Sequence, residues 1–154
     1  MRNALTVLCG AAALVSSVAF AAPPNSIAEC QQAADQWKAA YNSHNLDALV
    51  GMYDAKNGMT SAEAWTATGR DALAAGFKQE FSAGVMYTNI TCDRSNRVGH
   101  HLLSRGTWTA TANGPDGKPA TVSGHWASVG EDRGKELLIL TLIGNTQSPP
   151  PPAK

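Results

Sequence analysis

The sequence carries no surplus of either charge: twelve Lys and Arg balance twelve Asp and Glu over 154 residues. No block of like charges interrupts that balance. A chain without a basic face lacks the means to neutralise a run of phosphates, so nucleic-acid binding is excluded as a leading function. Several catalytic signatures are also missing: the G-x-S-x-G elbow, the Walker loop and the dinucleotide glycine fingerprint. There is no His-x-His or H-E-x-x-H pattern. His100 and His101 are adjacent, so on a strand they face opposite sides and cannot chelate one ion together. Neither a metal nor a cofactor is expected.

Long apolar runs are scarce too. The run from Ala4 to Phe20 follows Met1-Arg2-Asn3 and ends in Ala19-Phe20-Ala21, with small residues at the −3 and −1 positions of a signal-peptidase site. A membrane span needs ~20 strongly apolar residues, whereas this run is shorter, rich in Ala, Ser and Gly, and followed at once by Pro23-Pro24. Residues 1–21 are therefore read as a signal peptide cut after Ala21. The protein is expected in the periplasm or secreted, without stable membrane insertion after cleavage.

Cleavage removes Cys9 and leaves Cys30 and Cys92, an even pair in an oxidising compartment, for which a disulfide is the default expectation. It would close a loop of about 60 residues, worth at most roughly 4 kcal/mol. A reactive or metal-binding thiol is the competing reading, but no C-x-x-C and no nearby His supports it.

Ser26 and Glu29 have capping-box spacing. Ile27, Cys30, Ala34, Trp37, Tyr41 and His44 then recur at intervals of three and four, the stripe of a first helix, with Gln31 outside it. Asn45 opens a second helix over 46–53. A short strand over 62–66 centres on Trp65, and Thr68 caps a third helix with Leu73, Phe77 and Phe81 spaced by four. From 85 the period becomes two. Strands are expected over 85–94 (Met86, Ile90 and Cys92 on one parity), 101–112, 121–129 and 136–145. Trp108 and Trp126 share the inward parity, opposite Arg105, Thr107, Thr109 and His125. The last strand is apolar on both parities, as for a strand covered on both sides. Four consecutive prolines within 148–154 give an extended, disordered tail. The order yields one α+β domain, with three N-terminal helices packed on a curved, mostly antiparallel sheet.

Particular residues carry a resemblance. Trp37 with Tyr41-Asn42, Asn45-Leu46-Asp47-Ala48-Leu49 through Tyr53, Gly69-Arg70-Asp71-Ala72-Leu73, the pair Gly106-Thr107-Trp108 and Gly124-His125-Trp126, and the closing Asn145 stand in one order and spacing. In these the chain resembles the nuclear transport factor 2-like superfamily, in its SnoaL-like, ketosteroid-isomerase-like branch. The match runs from Ile27 to Asn145, within a single domain over 22–147. Leu137 and Leu138 depart from it, standing where the family often has Trp. The resemblance implies a cystatin-like cone, a bent sheet around a long helix with an apolar pocket between. Its members include isomerases, cyclases and dehydratases as well as binding and assembly modules, so fold leaves function open.

No inward strand position is acidic; Asp47 and Asp71 read as helix-start partners, and Asp54 as solvated. His44 reads as a structural histidine near the pocket mouth. What remains is aromatic. Trp37, Tyr41, Tyr53, Trp65, Phe77, Trp108 and Trp126 converge from different elements. They form either a plain core or, with the Tyr hydroxyls and Asn145, a pocket for a flat or apolar small molecule. The leading expectation is a small-molecule-binding domain. The resemblance also implies a homodimer through the outer sheet face, the surface by which relatives often pair. The alternatives are a general acid–base isomerase, cyclase or dehydratase, and a non-catalytic assembly module.

Overall fold

A computed structural model describes residues 26–62, 64–114 and 117–147. The expected signal peptide and disordered proline tail fall outside these residues. Helices α1 (Ser26–Asn42) and α2 (Leu46–Gly51) come first. They are followed by the small strands β1 (Met59–Ser61) and β2 (Thr66–Thr68), and by helix α3 (Arg70–Ser82). Four long strands complete the chain: β3 (Met86–Val98), β4 (His101–Asn113), β5 (Pro119–Asp132) and β6 (Leu137–Thr146). They form one six-stranded sheet in the order β2-β1-β6-β5-β4-β3. Every pairing is antiparallel except β1 with β6. The α+β class and the packing of helices on a mostly antiparallel sheet are as expected.

α1 buries Cys30, Ala34, Trp37 and Tyr41, the predicted stripe. Its ends differ from expectation. Ile27 is exposed, and His44 lies beyond the helix at φ 53° with its ring stacked on Phe81. Rather than closing a local capping box, the Ser26 hydroxyl donates to Ser95 O, and the Glu29 carboxylate pairs with Arg97. Gln31, placed off the stripe by its polarity, donates to Ile90 O (2.9 Å) and accepts from Cys92 N (2.8 Å). Asn42 makes the same kind of two-bond clamp on the Tyr87 backbone. β3 is the sheet's edge, so these amides satisfy peptide groups that an edge strand otherwise leaves open. Cys30 and Cys92 are joined in a disulfide along this same seam, with Cα atoms 6.1 Å apart.

Other boundaries shift for local reasons. Of the strand expected at 62–66, Thr66 opens β2, while Ala62 and Trp65 close the β1–β2 hairpin through Ala62 N donating to Trp65 O. Tyr53 leaves α2 to bridge Ile139, and α3 begins after Gly69 (φ 82°), which has no side-chain cap, in place of the expected Thr68 cap. β3 carries register shifts between Tyr87 and Asn89 and between Cys92 and Arg94. The first moves the parity by one residue. Tyr87 therefore shares the inner face with Ile90 and Cys92, and Met86 is exposed. The core is fully closed around Tyr41, Leu49, Tyr53, Leu73 and Phe77.

Candidate functional site

The site's floor follows from a reciprocal arrangement of glycine and tryptophan. In the β4–β5 register Gly106 lies opposite Trp126, and Trp108 lies opposite Gly124. With no Cβ on either glycine, each indole lies across the neighbouring strand's glycine. A methyl on Gly106 would meet Thr91 O and Trp126 Nε1; one on Gly124 would meet Asn145 O and the Trp108 ring. The indole N–H groups are used up by backbone, Trp126 Nε1 donating to Thr91 O (3.0 Å) and Trp108 Nε1 to His125 O (3.2 Å). The ring faces are left to line the interior.

Above this floor is a cavity of about 120 Å³. Trp37 and the disulfide's Cys30 wall it from α1, Phe77 from α3, and Tyr87 and Ile90 from β3. Leu102, Leu137, Ile139 and Leu142 come from the remaining strands. An outer depression of about 270 Å³ shares Ala62, Glu80, Tyr87, Trp108 and Gly144 with it, and adds Trp65, Val122 and Asn145. The two spaces meet at these shared residues.

Among the described residues lining either space, only Glu80 carries a charged side chain. It lies on α3, three residues after Phe77 and seven after Leu73, on the buried side of that helix. Its Oε2 accepts from Tyr41 Oη (2.9 Å) and its Oε1 from Trp65 Nε1 (2.9 Å). Trp65 reaches it because the indole lies flat against Gly76, where a Cβ would come within 2.5 Å of the ring. Burial raises the carboxyl's pKa above its ordinary value, and the bonds from Trp65 and Tyr41 offset part of that rise. Burial likewise pushes the Tyr41 and Tyr87 phenols up, reinforced by the Glu80 charge. The Tyr87 hydroxyl makes no hydrogen bond to the described residues.

The expected pocket residues divide into three groups. Trp37, Phe77, Trp108 and Trp126 line the cavity itself. Trp65 and Asn145 border only the outer depression, and Asn145 stands opposite His125 in the register, on the parity that faces away from the cavity. Tyr41 and Tyr53 sit behind the wall with their hydroxyls engaged: Tyr41 holds Glu80, while Tyr53 accepts from Trp37 Nε1 (3.1 Å) and Thr60 Oγ1 (3.0 Å). Asp54, expected to be solvated, is buried and held by the Asn57 and Lys56 amides and by Arg133. These bonds lower its pKa, the Asn57 amide most. It lines neither space. Among the described residues, no three His, Cys, Asp or Glu side chains gather as a metal site.

A stability prediction follows from Glu80. Its folded-state pKa is raised, so its contribution to stability is fully present below the unfolded pKa and is lost as pH rises through the folded one. Glu80→Gln keeps both partners, its carbonyl accepting from Trp65 and its amide donating to Tyr41. The variant is therefore expected to be more stable than the parent at pH 7, by about 1 kcal/mol. That gain should vanish below about pH 4. Thermal melts of both proteins across pH check this; a destabilised variant at neutral pH contradicts it.

No family model matches the chain, and no curated protein does. Solved structures do. A ketosteroid isomerase-like protein from Erwinia carotovora atroseptica aligns with a TM-score of 0.70 at 15% identity, covering 82% of this chain and 99% of that one. A nuclear transport factor 2-like protein with a cystatin-like fold from Novosphingobium aromaticivorans aligns at 0.62 and 13% identity, over 80% and 82% of the two chains. A nuclear transport factor 2-like protein of unknown function from Shewanella oneidensis aligns at 0.61 and 16%, over 74% and 93%. At these identities the likeness is one of fold, and the chain has the nuclear transport factor 2-like, cystatin-like fold.

Proposed function

We propose that this chain, on its cystatin-like cone, is an exported small-molecule-binding domain whose ligand rests on the faces of Trp108 and Trp126. The observation that carries this reading is the cavity itself, walled by apolar side chains and floored by two indoles whose N–H groups are already bonded. Cavities that bind ligands combine such apolar walls with a few placed polar groups. Here those groups include Glu80, the Tyr87 hydroxyl, which makes no hydrogen bond to the described residues, and the Ser61 and Ser128 side chains. At about 120 Å³ the space suits one small ring, since an apolar cavity of ~150 Å³ takes benzene.

The four tryptophans of the sequence all border the cavity or its outer depression, which provides a test. In a ¹H–¹⁵N spectrum of residues 22–154, titration with soluble one-ring fragments should shift the indole N–H signals saturably. Ala33→Phe, which fills the cavity from α1, should abolish those shifts while the fold persists. A fragment series that moves none of the four signals contradicts the proposal.

One observation favours a catalytic reading beside it. Burial makes Glu80 a stronger base than an exposed carboxylate, as proton transfer near neutral pH requires. On that reading Glu80→Gln retains binding but loses on the order of 10²–10⁴-fold in turnover of the bound compound. An assembly role has its own support in the exposed Leu103 and Ile143, on the sheet face turned away from the cavity. A homodimer through that face would show in sedimentation.

A further inference from the structure

We propose that the ligand is an organic monocation, an amine or quaternary ammonium on one small ring, held between the Glu80 carboxylate and the faces of Trp108 and Trp126. This rests on the ligand-binding reading above and assigns the chemistry of what binds.

The charge inventory comes first. Among the described residues, Glu80 is the only charged side chain along the cavity and its outer depression, and no described Lys, Arg or His pairs with it. A carboxylate taken out of water without a cation is costly. Its two bonds come from neutral donors, Tyr41 Oη and Trp65 Nε1. They occupy one acceptor site on each oxygen and bring no compensating charge. A carboxylate offers about four such sites, so acceptor capacity remains for a ligand's N–H groups.

The floor makes the second argument. Both indole N–H groups are committed to backbone carbonyls, so Trp108 and Trp126 offer an incoming group their electron-rich faces rather than hydrogen-bond donors. Those faces attract a cation, and tryptophan does so best among the aromatic residues. Trp108 lines both spaces that meet at Glu80, which places a π face and the carboxylate around the same volume. A neutral ligand would leave the Glu80 charge uncompensated, and an anionic one would be repelled by it and by both ring faces.

The groups facing Glu80 are Tyr41 from α1, Trp65 from the β1–β2 turn and Tyr87 from β3, with the Tyr53 phenol behind them. All are neutral at physiological pH, so among the described residues Glu80 sets the charge of the site there.

The test is calorimetric titration with three probes of nearly equal size: benzylamine (charged at pH 7.5), benzyl alcohol and benzoate. Benzylamine is expected to bind at least ten-fold more tightly than benzyl alcohol, with benzoate the weakest. In Glu80→Gln that preference should fall to within about two-fold. In the unmutated protein it should decline from pH 7.5 toward pH 4 as Glu80 takes up a proton, a readout independent of the variant's folding. Benzyl alcohol binding as tightly as benzylamine overturns the cation assignment and leaves the cavity a ligand site; an undiminished preference for the amine in both acid and Glu80→Gln overturns the pairing with Glu80. If no probe binds a protein shown to be folded by circular dichroism, the binding reading fails and the assignment with it.

Discussion

Gly124→Ala is expected to destabilise the domain by about 3 kcal/mol or more, the upper end for overpacking, and so to remove much of a typical domain's 5–15 kcal/mol. Two contacts cause this. The added methyl would meet the Asn145 carbonyl of β6, where the backbones approach too closely for any side chain, and would lie about 2.6 Å from the Trp108 ring. Relief requires parting β5 from β6 or lifting the indole off the sheet. The first breaks the ladder at the end of the sheet's central pair, and the second collapses the cavity floor. Gly106→Ala meets the same two obstacles in Thr91 O and Trp126 and should behave alike. Gly51 is the control: it is helical and a methyl there touches nothing, so Gly51→Ala should be neutral or slightly stabilising. Thermal or urea melts decide; Gly124→Ala unfolding at the midpoint of the parent contradicts the reciprocal packing.

Removing the disulfide should cost nearly as much. Cys30 and Cys92 are separated by 62 residues, and closing a loop of that size limits the unfolded chain by about 4 kcal/mol in the chain-entropy model. Cys30→Ala with Cys92→Ala is therefore expected to lower stability by about 3–4 kcal/mol. The site should be affected as well, since Cys30 is part of the cavity wall. The seam between α1 and β3 need not open completely, because the Gln31 and Asn42 amides clamp the same strand. The expectation is thus a weakened but folded domain at moderate temperature. Urea denaturation of the oxidised protein, with and without reductant, measures the effect; superimposable curves would show that the crosslink adds nothing.

The two predictions rest on features of unequal visibility in the sequence. The G-x-W repeats and the even cysteine pair are local patterns, and both point to what is found. The class of fold is legible for the same reason: a period of three to four changes to a period of two at 85, and the order of elements follows. Glu80 was harder to see. Following Leu73, Phe77 and Phe81 at intervals of four traces one edge of α3. The buried side also includes the interval of three, which carries Gly76 and Glu80. A charged residue three positions after a buried aromatic is the available signal, and a stripe drawn only through the aromatic and leucine positions of α3 leaves it out.

The misplacement of Met86 has another cause. Parity counting assumes an unbroken ladder, and the shift between Tyr87 and Asn89 leaves no mark in residue type. Tyr87, a wall residue, escapes parity counting for that reason. Gln31 and Asn42 show a third limit: their partners are backbone groups 45–61 residues away, and no periodicity within α1 reports them. Asn145 could be placed only by pairing it with His125 across the sheet.

The central claim is that the interior is an open ligand site built around Glu80 and the paired indoles. A crystal structure of residues 22–154 soaked with one-ring fragments tests it most directly. The account predicts density for a fragment lying on the Trp108 and Trp126 rings, in contact with Glu80, with the Tyr41 and Trp65 bonds to that carboxylate kept. An interior closed by its own side chains, with no space between the indoles and α3, would contradict it.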